Sequence, residues 1–344
     1  MASDPGASGW KLRAGFVAVF LPILIEAPCA FGAKVPVLDP SPIRKVAEYQ
    51  LNYGRTGAAA AALGDYIYIF GGSGGTFMVE RAERLNVRTG EVELLAPRFR
   101  TRRMHGVVEY GGKFHIIGGQ TLDVPEGALD DTIEVYDPVT DTVSFETKMP
   151  DPRQIPAPVV VGDDLYILGG GRLHGRNTYI STNDVRIYNF KTGEWRQGPL
   201  MPTARFAYSA PVGQFVLVAG GRSQGNKLKT VEMLVPSENV WKKLPDLGMA
   251  VFGCSMIHAG RWLFFFGDID EDDLVLAYDL PTRKTYRVKC GFAGAIYSTA
   301  VVHENRIYLI SGRSFYLGSW GGTERGTIQV FELAADDERP QGQK

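Results

Sequence analysis

Leu165-Tyr166-Ile167-Leu168-Gly169-Gly170 is a short apolar run closed by a glycine pair, and the chain repeats it. The same unit stands at Tyr66-Ile-Tyr-Ile-Phe-Gly-Gly72, at Phe114-His-Ile-Ile-Gly-Gly119 and at Phe215-Val-Leu-Val-Ala-Gly-Gly221. Two altered copies follow, Trp262-Leu-Phe-Phe-Phe-Gly-Asp268 and Ile307-Tyr-Leu-Ile-Ser-Gly312. Successive doublets are 47, 51, 51, 47 and 44 residues apart. Self-similarity at such a period marks a repeat architecture, in which each copy is one supersecondary unit. The glycines have a backbone reason, since a doublet at a strand end allows positive φ and close approach of a neighbouring unit.

Beyond each doublet lies a second strand pattern, as in Thr132-Ile-Glu-Val-Tyr136, Asp184-Val-Arg-Ile-Tyr188 and Thr230-Val-Glu-Met-Leu234. A turn then follows, such as Asp137-Pro-Val-Thr-Asp141 or Asn189-Phe-Lys-Thr-Gly193. Val92, Val143, Trp195 and Trp241 each stand seven residues past the end of that strand. Together these positions resemble the kelch repeat from Arg55 to Leu333. The resemblance implies an all-β propeller with four strands per blade. The last copy supplies only three strands, Ile296 to Val302, Arg306 to Ile310 and Thr327 to Leu333. The unassigned stretch Arg44-Lys-Val-Ala-Glu-Tyr-Gln-Leu51 can supply the fourth, closing the ring and removing an exposed edge. The expectation is a six-bladed propeller over residues 36–334, least regular in the two blades with altered doublets.

With 344 residues, 44% hydrophobic and 22% charged, the composition is that of an ordinary globular protein. A formal net charge of -1 and the lack of a Lys/Arg-rich run speak against nucleic acid or anionic lipid as partner. At the N-terminus, Lys11 and Arg13 precede an apolar stretch from Ala14 to Ile25 and then small residues to Ala33. That is the order of a secretory signal, interrupted by Pro22 and Glu26 and too short for a comfortable membrane span. Residues 1–33 are therefore expected to be an export signal, with a cytoplasmic home as the alternative, and residues 335–344 a charged tail. Cys254 and Cys290 fall on the inner and outer strands of one blade, a placement that argues against pairing. A monomer is expected.

Charge is patterned along the repeat. Arg55, Arg102 and Arg153 stand sixteen residues before their doublets and Arg205 fifteen before its own, whereas blades five and six carry Val251-Phe252 and Ala295-Ile296 there. Arg172, Arg222 and Arg313 stand just behind their doublets. In the kelch fold both loops open on one face around the central channel, so seven arginines would gather at one mouth and hold carboxylates or phosphates. For Arg55, Arg102, Arg153 and Arg205 a second reading stands beside this one, because a periodic residue is first of all a repeat residue that ties blades together. Blade five instead turns acidic, Asp268-Ile-Asp-Glu-Asp-Asp273. The spacing of Asp268, Asp270, Asp272 and Asp279 imitates a calcium loop, but Asp273 occupies the position that the loop's sharp turn reserves for glycine. The long connections 120–131, 171–183 and 313–325 would wall the mouth, with blade five leaving a gap.

The histidines, His105, His115, His174, His258 and His303, show no metal-ligand spacing, and neither a metal nor a cofactor is expected. Only His105 and His174 fall where they could reach the mouth. Some kelch propellers are enzymes, but the copper-oxidase ligand set and the Glu-x-x-x-Asp-x-x-x-His motif of plant specifier proteins do not map onto this chain. A distant likeness to exported bacterial sialic acid mutarotases rests on size and architecture. Two functions follow. One is a binding module whose arginine-rich mouth holds an acidic small molecule or acidic protein segment. The alternative is an isomerase or mutarotase acting on an anion, with Asp268, Asp270 or His174 moving the proton.

Overall fold

In the computed structural model, residues 34–121, 128–175, 178–314 and 322–335 are described. The expected signal 1–33 and nearly all of the tail 335–344 lie outside them. Each apolar run ahead of a doublet forms a strand whose side chains are buried toward both faces, as in Asp164–Leu168 and Trp262–Phe266. Such continuous hydrophobicity suits a strand sandwiched between two neighbouring sheets, whereas the outermost strand Thr142–Lys148 is largely exposed. The strands assemble into six four-stranded antiparallel sheets. Blade three shows the plan: Ala157–Val161 innermost, then Asp164–Leu168, Val185–Asn189 and Glu194–Gln197. The positions seven apart are cross-strand partners: Leu85 with Val92, Tyr136 with Val143, Tyr188 with Trp195 and Leu234 with Trp241. Blade-to-blade packing forms apolar clusters, one of which joins Phe264 and Phe266 to Ile307, Leu309 and Phe331.

Closure is as the strand count requires. Ile43–Gln50 pairs antiparallel with Thr327–Leu333, from Ile43 opposite Leu333 to Gln50 opposite Thr327. Ala47 and Tyr49 of this strand pack beside Ile67 and Leu85 of blade one, so the first segment of the propeller seals the last blade to the first.

The doublets act as stitches between blades. Gly71 and Gly72 take φ of 56° and 95°, and the Gly72 N–H donates to the Arg102 carbonyl of the next blade at 2.9 Å. A Cβ on Gly71 would lie 2.5 Å from that same carbonyl oxygen, so no other residue fits. The same bond runs from Gly119 to Arg153 (3.1 Å), Gly170 to Arg205 (2.9 Å), Gly221 to Val251 (2.9 Å) and Gly312 to Arg55 (2.9 Å). The altered doublets therefore differ from each other. Ser311-Gly312 keeps the geometry, with φ of 61° and 101°. Gly267-Asp268 does not, since Asp268 lies outside the positive-φ region. The altered doublets do not set their blades apart as sheets. Blade five pairs in unbroken register, and the irregularities fall at Arg81/Glu83, Ile133/Glu134 and Lys45/Ala47 in blades one, two and six.

Candidate functional site

Arg55, Arg153 and Arg205 are 0% exposed and Arg102 is 1% exposed. Each guanidinium turns into its own blade. One arm donates to the carbonyl of the first doublet glycine, at 3.1 Å for Gly71, 3.2 Å for Gly118, 2.9 Å for Gly169 and 3.0 Å for Gly220. The other pairs with an acid at the start of the third strand: Glu83 for Arg55, Glu134 for Arg102 at 2.7 Å, Asp184 for Arg153 and Glu232 for Arg205, both at 2.9 Å. Burial lowers the Arg55, Arg153 and Arg205 guanidinium pKa against the pull of these acids. Burial also pushes the Glu134 carboxyl up, with Arg102 opposing it. These four arginines brace doublet to strand, and their charge stays within the wall. In blades one, two and four the acid stands opposite the second residue before the doublet, as Glu83, Glu134 and Glu232. Gln329 and Leu276 take that place in blades six and five, where the arginine too is missing, and in blade three it is Arg186, with Asp184 two residues earlier.

The mouth is a separate layer above this brace. The residue after each bracing position pairs in a short antiparallel bridge with the residue after the doublet: Thr56 with Ser73, Arg103 with Gln120, Gln154 with Gly171, Phe206 with Arg222 and Ile296 with Arg313. All of these except Ser73 and Gly171 line a cavity of about 710 Å³. Its cations are Arg103, Arg222 and Arg313, and no Asp, Glu or His is among its described lining residues. Arg103 donates to the Gln120 side chain at 3.0 Å. Arg222 is exposed, touches the Gly225 carbonyl at 3.2 Å and lies 5.7 Å from the Phe252 ring centroid. Arg313 donates to the Gly322 carbonyl at 3.3 Å, and its Nε is buried without a partner. Among the described residues neither Arg222 nor Arg313 ion-pairs with a carboxylate. Arg172 differs: it forks onto Asp151, lies 3.3 Å from Asp184 and does not line the cavity. Of the seven arginines expected at the mouth, the structure brings two to the cavity and adds Arg103, whose place beside bracing Arg102 had concealed it.

Comparison with known proteins follows the same architecture. The KLHDC2/KLHL20/DRC7 Kelch-repeats domain matches residues 104–312, more than half of the chain, and the Kelch motif matches residues 54–98. The chain belongs to the kelch-repeat family. This kelch propeller is 31% identical over 188 residues to Kelch-like protein terF of Aspergillus terreus, covering 52% of this chain and 41% of that protein. It is 26% identical over 211 residues to the N-(sulfonatooxy)prop-2-enimidothioate sulfolyase of Thlaspi arvense, covering 55% and 59%. Kelch-like protein 38 of Rattus norvegicus is 26% identical over 160 residues, covering 45% and 27%. The matches thus span between 27% and 59% of these relatives' own length.

The residues proposed for proton transfer are not gathered in this kelch propeller. Asp268 is 1% exposed, and its carboxylate accepts from the Phe252 N–H at 2.8 Å, the Asp270 N–H at 3.0 Å and Lys227 at 2.6 Å. It holds the blade-five loop where blades one to four use an arginine. Asp270 shares Lys227, with its side chain 71% exposed. His174 is exposed on the hairpin of blade three, and none of the three lines the mouth cavity. The calcium-like spacing also dissolves, because Asp279 pairs with Arg261 and Thr282. Among the described residues no three His, Cys, Asp or Glu side chains gather as a metal ligand set. His115 packs against Phe190, while His258 and His303 bond to the Gly260 and Gly64 carbonyls.

Below the mouth a collar narrows into the channel. Met104, Ile155 and Tyr297 take φ of 51°, 50° and 50°, a costly conformation for these residues and most of all for β-branched Ile155. Their amides form a chain of bonds between blades: Ile155 to the Met104 carbonyl, Met104 to Gly57, Gly57 to Tyr297 and Tyr297 to Gly253, at 2.7 to 3.0 Å. Gly253 closes onto the Tyr208 hydroxyl at 2.7 Å. These three side chains line both the mouth and a lower cavity of about 300 Å³. His105 sits in that lower cavity, buried, with neither ring nitrogen partnered among the described residues. Burial first, and then Arg102, pulls its pKa down to about 3, so it stays neutral there. Cys254, in the same layer, is free and buried, and burial pushes its thiol up.

Proposed function

We propose that this kelch propeller is a binding module whose mouth takes an anionic ligand or an acidic segment of a partner. The observation that carries this reading is the contrast in pairing. Arg55, Arg102, Arg153, Arg172 and Arg205 are all matched by carboxylates, whereas Arg222 and Arg313 face a cavity of about 710 Å³ and have none among the described residues. Guanidinium forks in a concave, acid-free site attract carboxylates, sulfates or phosphates. Exposed apolar side chains flank this centre, with Leu173 and Ile180 on the blade-three hairpin and Tyr53 and Phe77 beside blade one. They give a partner surface to bury around the charged well. The kelch relatives support an interaction role, and the Thlaspi arvense relative is named for a sulfonatooxy compound, itself an anion.

Titration with a short Glu/Asp-rich peptide tests the reading. A charge-assisted hydrogen bond contributes about 1.5–3 kcal/mol, so Arg222→Ala or Arg313→Ala should each weaken binding by about tenfold or more. Added salt should weaken the wild type in the same direction. Affinity that ignores both substitutions and salt would remove the mouth from the function.

A further inference from the structure

The mouth is divided across its width. On blades one to three the ring positions are polar, Thr56, Arg103 and Gln154. On blades four to six they are Phe206, Phe252 and Ile296, followed by Tyr297. Phe252 lies at the centre of that half: its ring centroid is 6.1 Å from that of Phe206 and 6.1 Å from that of Tyr297. Of the three mouth guanidiniums without a carboxylate partner among the described residues, Arg222 and Arg313 belong to this half, while Arg103 lies on the other and is held by the Gln120 side chain. Arg222 projects from blade four and Arg313 from blade six, so they flank blade five, whose own carboxylate at Asp268 is turned away onto Lys227 and the Phe252 amide. Arg222 touches the Phe252 ring only at cation–π range, a weak hold at an exposed site that leaves its N–H edge available to an anion.

Two free cations beside a patch of three aromatic rings are complementary to a flat ring that carries a negative group. An aliphatic anion would use the cations and leave the aromatic patch unmatched. We propose that the blade four-to-six half of the mouth is a subsite for a small molecule bearing an anionic group on an aromatic ring, the ring against Phe206, Phe252 and Tyr297 and the anion between Arg222 and Arg313. This rests on the anionic-ligand reading above and narrows it to a substrate class. Aromatic pairs gain free energy beyond their buried area, and a saturated ring of equal size and charge does not.

Matched pairs isolate that difference: phenyl phosphate against cyclohexyl phosphate, and benzoate against cyclohexanecarboxylate, by calorimetric titration of the full chain. The aromatic member of at least one pair should bind about fivefold tighter, and the pair that shows the difference separates phosphate from carboxylate as the head group. Phe206→Leu, with Phe252→Leu as the second variant, should bring the two members together by weakening the aromatic one more than the saturated one. Arg222→Ala should weaken both members alike. Equal binding within both pairs overturns this inference while leaving the anionic mouth intact. An aromatic preference that survives in both folded Phe variants overturns it too. If none of the four anions binds, the aromatic subsite is overturned, and the Glu/Asp-rich peptide titration decides separately whether the anionic mouth stands.

Discussion

Blades one to four and blades five and six solve one problem with different atoms. In the first group a buried arginine ties the doublet carbonyl to a third-strand acid, four times over. In blade five the Asp268 carboxylate takes the loop amides of Phe252 and Asp270 instead. In blade six the Ser311 hydroxyl bonds to the Arg55 and Arg325 carbonyls, and Gln329 accepts from the Ala293 amide. The exchange teaches that a residue repeating with the fold serves the fold. The mouth arginines without a carboxylate partner among the described residues, Arg103, Arg222 and Arg313, stand outside that repeating set.

The comparison breaks most visibly at the buried pairs. Arg205→Met leaves Glu232 buried and uncompensated, and removing one partner of such a pair costs about 3–5 kcal/mol. Urea denaturation should show that loss, and Arg205→Met with Glu232→Leu should recover most of it. A single substitution as mild as a surface change would mean that the brace is ornamental. Next in size is Asp268→Ala. It orphans the Phe252 amide and should lose about 1–3 kcal/mol by the same measurement, which sharpens the claim that this carboxylate replaces the arginine. If the protein keeps its stability, Asp268 is free for chemistry after all.

A smaller effect concerns His105, which lies beside the Arg102 brace. Its folded pKa of about 3 is below the ordinary 6.5, so the unfolded chain takes up a proton that the folded protein refuses. Stability is full above pH 6.5 and is lost as pH falls from 6.5 toward 3, by up to about 1.4 kcal/mol per pH unit from this group. Between pH 6.5 and 5.5 the wild type should lose stability faster than His105→Asn. Parallel curves would mean that the imidazole is charged or solvated in the folded protein. Smallest of all, Arg222→Ala, at an exposed residue outside the brace, should change stability by less than about 0.5 kcal/mol.

The fold was legible in the sequence because its signal is local and repeated. The doublets, the cross-strand positions seven apart and the missing fourth strand of the last blade led to six blades closed by Ile43–Gln50. The site was legible only in part. Arg55, Arg102, Arg153 and Arg205 stood out by number, yet burial and partner, which decide what a charge does, depend on strands about 30 residues away. The matching acids at Glu83, Glu134, Asp184 and Glu232 were the missed clue. Asp268 resembled a ligand because spacing does not reveal which lone pairs the backbone already occupies. The positive φ of Met104, Ile155 and Tyr297 leaves no trace in residue type, since bonds between blades impose it.

The division of the arginines into bracing and binding sets is tested most directly by one thermal-shift panel. Wild type, Arg172→Ala, Arg222→Ala and Arg313→Ala would each be melted with sugar acids, nucleotides, aromatic acids and acidic peptides. The account predicts that at least one anion raises the wild-type midpoint, that Arg172→Ala keeps the shift, and that Arg222→Ala and Arg313→Ala lose it. No stabilising anion for the wild type, or an undiminished shift in Arg222→Ala and Arg313→Ala, would contradict it.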